Sequence, residues 1–330
     1  MLSVVTGGSG FVGANLVRAL LERGDQVRVV DKRKTESLAG LEVEHLQVDV
    51  TDRESLNKAF VGADTVFHLA ALISIIGDPT GEVHRTNVEG PRNASRAALA
   101  CGVKRFVHCS SVHAYDLERC WPELTEASER ATMDHCPAYD RSKNAGENQV
   151  RGAIAEGLDA VIVNPSGIIG PHDYEPSRLG ELLIQLRDQK LPVSIRAGFD
   201  FVDVRDVVAG MLAAERSGRT GENYILSGHR LSMDELAEVA QRITGVEGPH
   251  ISMPISIVTG LAPLFLRLTH EGQTPLITPE SVHALRYSPS ICHYHASKEL
   301  GYLARPFFET IRDTYAWFEE ALPWKRTRAH

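Results

Sequence analysis

The sequence predicts an α/β chain built on a doubly wound parallel sheet, with a smaller, mostly helical part beside it. Three observations predict this. A glycine-spaced turn follows the apolar run Leu2-Ser3-Val4-Val5, strand and helix patterns alternate through the first half, and an acid, Asp31, closes the second strand pattern.

The turn is Thr6-Gly7-Gly8-Ser9-Gly10-Phe11-Val12-Gly13. Gly7 allows backbone angles closed to other residues, Gly10 leaves room for a phosphate at the main chain, and Gly13 lets helix and strand approach closely. Free N–H groups around Phe11 and Val12, together with the helix dipole, favour a pyrophosphate. Leu16, Val17, Leu20 and Leu21 then recur at helical spacing until Arg23-Gly24 ends the helix. Val27 to Val30 is the second strand, and Asp31 stands where a carboxylate accepts hydrogen bonds from a ribose diol. Strand, turn, helix, strand and acid in register predict a dinucleotide site.

Strands are expected at 43–48, running into Asp49-Val50, at 65–71, at 105–109 and at 160–163, with helices starting near Asp52 and spanning 83–100 and 138–156. Parallel strands joined by right-handed crossovers follow from that alternation. Residues 1–165 read as the dinucleotide-binding domain, and residues 166–330 as the substrate-binding part, with the chain returning to the large sheet at about 200–228. In this second part a long loop is expected from Gly167 to Pro176, a helix from Ser177 to Gln189, a strand at 223–227 and a capping box at Ser232-Met233-Asp234-Glu235.

Composition narrows the function classes. With 35 basic and 43 acidic residues the net charge is −8, which argues against a nucleic-acid partner. The basic clusters Lys32-Arg33-Lys34 and Lys325-Arg326-Arg328 are too short to reverse that. The apolar stretch Ile255 to Leu268 is too short and too interrupted to span a bilayer, so it is a core helix or the wall of a lipophilic pocket. No secretory leader is expected, and five cysteines without paired ligand spacing suit a reducing compartment; the chain reads as cytoplasmic. No metal site is expected from the spacing of its histidines and cysteines.

Two clusters carry chemistry. Cys109-Ser110-Ser111-Val112-His113 stands at the C-terminal end of a parallel strand, where such sheets place ligands. Tyr139 and Lys143, four residues apart, share one face of a helix. A nearby ammonium is expected to lower the phenol's pKa, while Ser111 donates a hydrogen bond to the substrate oxygen and Lys143 reaches a nicotinamide ribose. Tyr139 then passes a proton to or from a carbinol as hydride moves. Ser111, His113, Tyr139 and Ser166 are the candidate substrate contacts.

Taken with His68-Leu69-Ala70-Ala71, Asn87-Val88-Glu89-Gly90, Asn164-Pro165 and Phe201-Val202-Asp203-Val204-Arg205-Asp206, these motifs make the chain resemble an extended short-chain dehydrogenase/reductase over essentially its whole length. That superfamily of Rossmann-fold enzymes includes nucleotide-sugar epimerases and dehydratases. Pro165 to Pro171, the 255–268 stretch and Lys298 to Tyr302 look closer to its dihydroflavonol reductase and 3β-hydroxysteroid dehydrogenase branch. The resemblance implies Asp49 and Val50 near the adenine, Leu69, Ala70 and Ala71 along the dinucleotide, and Asn87 supporting the site. It also implies Pro165 and Ile168 beside the nicotinamide, and Ser111, Tyr139 and Lys143 as catalysts. Where sugar-nucleotide members continue the serine motif into Val-Tyr-Gly, this chain has Ala114-Tyr115-Asp116.

The expected cofactor is NAD rather than NADP, because Asp31 repels a 2′-phosphate; Lys32 and Arg33 are the cations that would hold one. The expected assembly is a homodimer through the helices at 83–100 and 138–156. The expected reaction is oxidoreduction of a small hydroxyl or carbonyl compound. Two other readings are nucleotide-sugar epimerisation or dehydration with internally regenerated NAD, and a non-enzymatic dinucleotide sensor, which has no need of a poised tyrosine.

Overall fold

Val4 and Val5 are adjacent, fully buried, and on opposite faces of one strand. That is the signature of a sheet covered on both sides. The computed structural model describes residues 1–191, 193–268 and 278–321, with 262–268 described by backbone alone; Lys325, Arg326 and Arg328 lie outside the described residues. Its centre is a seven-stranded parallel sheet in the spatial order Asn223–Leu226, Ala160–Pro165, Arg105–Cys109, Thr65–His68, Leu2–Thr6, Gln26–Asp31, Glu44–Gln47. The order reverses at Leu2–Thr6, so the crevice between its C-terminal end and that of Thr65–His68 is where a ligand is expected.

Each face has its own core. On one, Leu16, Val17 and Leu20 of the helix Phe11–Glu22 and Val207 and Met211 of the helix Val204–Ser217 cover Val5, Val29, Phe67 and Val107. On the other, Leu56, Ala94, Ala97, Val150 and Ala153 cover Val4, Val30, Val66 and Phe106. Each such fully buried Val, Leu or Phe contributes roughly 1.5–3 kcal/mol of transfer free energy. Asp52 caps the short helix Arg53–Ala59 by accepting from the Glu54 and Ser55 N–H groups. The helix expected at 83–100 begins at Glu82 and carries a π-turn over Arg85–Glu89, which turns Asn87 inward.

The second part holds more strand than expected. Gly167–Ile169, expected as the start of a loop, pairs in parallel with Gly198–Asp203, which pairs antiparallel with His229–Ser232. Gly198–Asp203 therefore builds a separate three-stranded sheet, and the return to the large sheet is made by the helix Val204–Ser217 and the strand Asn223–Leu226. Close packing dictates this: a Cβ on Gly167 would stand 2.9 Å from the Phe199 ring, and one on Gly228 2.0 Å from the Phe201 carbonyl oxygen. Ser232 forms the capping box with Glu235. Ile255–Leu268 is a helix whose Val258 packs on Val282, while Ile257 and Leu261 are exposed.

Candidate active site

The glycine turn closes over the switch point. Gly7 has φ +70°, and a Cβ there would meet the Ala70 backbone at 2.7 Å; one on Gly13 would stand 2.2 Å from the Gly7 carbonyl oxygen. Both positions therefore exclude any side chain. Gly10 differs: it is exposed, no side chain caps the helix it opens, and a Cβ there would touch only the Gly7 oxygen, at 3.3 Å. Glycine thus leaves clear the space above an uncapped helix N-terminus, at the N–H groups of Phe11 and Val12, which fits a pyrophosphate.

Asp31 lies at the rim of that turn. Its two carboxylate oxygens accept from the Ser9 N–H at 3.1 Å and the Arg33 N–H at 3.2 Å, which fixes the group beside the turn. The neighbouring cations are both paired, Lys32 with Asp49 at 2.9 Å and Arg33 with Glu175 at 3.3 Å. Thr6 holds the facing strand, bonding His68 Nδ1 at 2.7 Å and taking the Leu69 N–H on its carbonyl at 3.1 Å. Leu69 and Ala70 are half-buried and Ala71 is exposed along the crevice. Asn87 pins the next segment: its Oδ1 accepts from the Leu72 N–H at 2.8 Å, and its Nδ2 donates to the Leu72 carbonyl and to Ser142 Oγ. Val50 is buried where a Cβ on Gly90 would strike it at 2.9 Å.

Ser111, Tyr139 and Lys143 converge at the far side of the crevice. Ser111 opens a short turn and accepts the His113 N–H on its hydroxyl at 3.2 Å, on the side of the crevice where the Tyr139 ring meets His113. Lys143, 5% exposed, donates from Nζ to the Cys109 carbonyl at 3.2 Å. Pro165 and Ser166 are buried and Ile168 half-buried at the end of the adjacent strand.

The electrostatics correct one expectation. Burial pushes the Tyr139 phenol above its ordinary value, the Asp140 carboxylate adds to the rise, and the nearby Ser111 hydroxyl opposes it. Lys143 does not hold the phenol low, because its ammonium turns to Cys109 and is itself lowered by burial. Asp140 also bonds His113, Nδ1 to Oδ1 at 3.0 Å; burial works against the imidazolium, but the carboxylate outweighs it and raises the His113 pKa. The His113 ring meets Tyr139 edge-on, centroids 5.6 Å apart, and stacks on Phe199 at 6.0 Å. Sequence reasoning missed Asp140 and Phe199. Asp140 is adjacent to Tyr139, yet only the fold brings His113 to it.

Beneath the site, Glu147 is 1% exposed and accepts from Arg130 at 2.9 Å, Asn164 at 2.7 Å and Asn223 at 3.0 Å. Asn164 in turn donates to the Ser111 carbonyl at 2.9 Å. This buried network holds the Ser111 turn from below.

Residues 3–227 match the profile of the NAD dependent epimerase/dehydratase family. Sterol demethylase protein B of Methylococcus capsulatus is 32% identical, the alignment covering 97% of this chain and 99% of that one. A putative dihydroflavonol 4-reductase of Synechocystis sp. is 33% identical over 96% of this chain and 94% of its own length. The crystal structure of gox2253 superposes with a TM-score of 0.84 at 31% identity, covering 97% of this chain and 98% of that one. A match over most of the glycine-turn domain, with relatives aligned almost end to end, establishes that the chain belongs to the NAD dependent epimerase/dehydratase family of extended short-chain dehydrogenases/reductases.

Proposed function

We propose that the protein is an NAD(H)-linked oxidoreductase acting on a hydroxyl or carbonyl group of a small apolar compound, with Tyr139 as the proton-transfer group. The observation that carries this reading is the convergence of Ser111, Tyr139 and the buried Lys143, with His113 donating its N–H to the Ser111 hydroxyl and meeting the Tyr139 ring edge-on, across the crevice from the glycine turn. Bound NAD supplies a nicotinamide that takes or gives hydride. Phe11, Val12 and Gly13 hold the pyrophosphate, Asp31 the ribose diol, and Lys143, Pro165 and Ile168 the nicotinamide end. Ser111 orients the substrate oxygen and Tyr139 exchanges its proton, a phenol held neutral being suited to donate to a developing alkoxide in carbonyl reduction. The rings of His113 and Phe199 put aromatic surface beside Tyr139, which suits an apolar substrate, in keeping with relatives named for a sterol and a dihydroflavonol.

The test is to denature purified protein, identify any released nucleotide, and screen sterols, hydroxysteroids, flavonoids, simple ketones and nucleotide sugars. Net formation or consumption of NADH with an apolar alcohol or ketone supports the reading. Sugar interconversion over tightly held NAD, with no net change in nicotinamide absorbance, overturns it in favour of an epimerase or dehydratase. Dinucleotide binding with no turnover of any kind points instead to a sensor.

The cofactor preference rests on Asp31, with Lys32 and Arg33 drawn onto Asp49 and Glu175. Asp31→Ala removes a charged acceptor, a group contributing about 1.5–3 kcal/mol. NAD is expected to bind about tenfold or more weakly, and NADP comparatively better. Tighter binding of NADP than NAD by the unaltered protein sinks the assignment.

A homodimer is proposed through the helices at 82–100 and Ala138–Ala155, which pack together on one sheet face. Gly152 on the second is open, with nothing within 4 Å of a Cβ built there. Light scattering at micromolar concentration should give twice the 36.2 kDa chain mass, and a monomer refutes the contact. Among the described residues no helix is long and apolar enough to cross a membrane. All five cysteines are free thiols, which supports a reducing, cytoplasmic setting.

A further inference from the structure

Away from the dinucleotide crevice, three side chains of different ligand type converge in the segment between the Ser111 turn and the helix of Tyr139. His135 Nε2 lies 2.9 Å from Asp116 Oδ2 and 3.7 Å from Cys136 Sγ, and the three ligand atoms lie within 4.8 Å of one another. Asp116 is 2% and Cys136 4% exposed, whereas His135 faces solvent.

One ring nitrogen cannot serve both neighbours. Protonated, it donates to the carboxylate and has no lone pair for the thiol; unprotonated, it leaves the buried carboxylate without its donor. The group is therefore no nucleophile–base–acid relay, which needs both ring nitrogens. A cation at the centre satisfies all three at once. Tetrahedral Zn²⁺ with its usual bond lengths separates N from O by about 3.3 Å and N from S by about 3.6 Å, so the two spacings from His135 need to move only by a few tenths of an ångström, while Asp116 and Cys136 lie within 4.8 Å of each other.

We propose that Asp116, His135 and Cys136 form a site for a borderline-soft divalent cation, best matched by Zn²⁺, with a fourth position open to water on the exposed side of His135. Carboxylate, neutral imidazole and thiolate together carry two negative charges, so the loaded site is neutral; the thiol proton leaves to solvent as the S–Zn bond forms. Arg119 approaches the same Asp116 oxygen at 3.8 Å, but it is half-exposed and closer to Glu129, at 3.1 Å, so it can yield the position. Asp116 follows the turn that Ser111 opens, and Cys136 precedes Pro137, the N-cap of the helix that carries Tyr139. The ion would clip those two segments together.

The test titrates metal-free full-length protein with Zn²⁺ alone against a chromophoric chelator. One ion per chain is expected. His135→Ala and Cys136→Ser should each weaken binding by about 10–100-fold or more, the range lost even with an outer-shell partner. Co²⁺ in place of Zn²⁺ should give a thiolate-to-metal charge-transfer band that Cys136→Ser abolishes. His135 is exposed, so its variant should keep the metal-free thermal transition, while Zn²⁺ raises the transition of the unaltered protein alone. The absence of a one-to-one complex, the absence of the charge-transfer band, or less than a tenfold loss in both variants overturns the site.

Discussion

Replacing Tyr139 with Phe is expected to lower turnover by about 10²–10⁴-fold, the usual contribution of a positioned acid or base, with NAD affinity nearly unchanged. The phenol faces Ser111 and the His113 ring, while the glycine turn and Asp31 lie across the crevice, so removing one oxygen leaves the dinucleotide cradle intact. Fluorescence titration of NADH and steady-state kinetics separate the two quantities; near-normal turnover defeats the assignment. The pH profile gives a second readout. A phenol raised above its ordinary value stays protonated through neutral pH, so as an acid it is fully available there and is lost only as pH rises through the raised value. Carbonyl reduction should therefore run level through neutrality and fall at high pH. Alcohol oxidation, which needs the base form, should climb with pH, and Tyr139→Phe should flatten both profiles. A reductive rate that rises towards high pH in the unaltered protein would contradict a neutral phenol.

What was legible in the sequence was what is local. Gly7, Gly10 and Gly13 carry their geometry in their spacing, because a positive φ, an open helix end and a close strand–helix approach each exclude a side chain. Tyr139 and Lys143 share a helix face for the same reason. The small sheet was not legible: Gly167–Ile169 is three residues long, too short for alternation to register, and its partner Gly198–Asp203 lies about thirty residues away. Nor was the charge state of the site. The expected lowering of the phenol by Lys143 needs the ammonium to face it, and that depends on the carbonyl of Cys109, which the fold supplies from the strand Arg105–Cys109. The pairings of Lys32 and Arg33 with Asp49 and Glu175, and of His113 with Asp140, likewise exist only once distant segments meet.

Glu147 is where the same logic predicts the largest stability change. Its carboxylate is buried and takes hydrogen bonds from Arg130, Asn164 and Asn223, while Arg151 lies 4.0 Å away and bonds Asn223. Glu147→Ala leaves the Arg130 guanidinium, stacked over Tyr115 at 4.0 Å, without its counter-charge, and two buried amides short of an acceptor. Breaking one partner out of a buried ion pair costs about 3–5 kcal/mol. Glu147→Gln keeps the shape and one acceptor oxygen for Asn164, but turns an amide NH₂ towards the donors of Arg130 and Asn223, so an intermediate loss is expected. Because Asn164 also holds the Ser111 carbonyl, turnover of Glu147→Ala measured well below its unfolding transition should fall as well, but less than in Tyr139→Phe. Urea unfolding with both variants measures the first effect. A loss in Glu147→Ala within about 0.5 kcal/mol, the range of ordinary surface substitutions, would mean that water replaces the carboxylate and that the network does not hold the Ser111 turn.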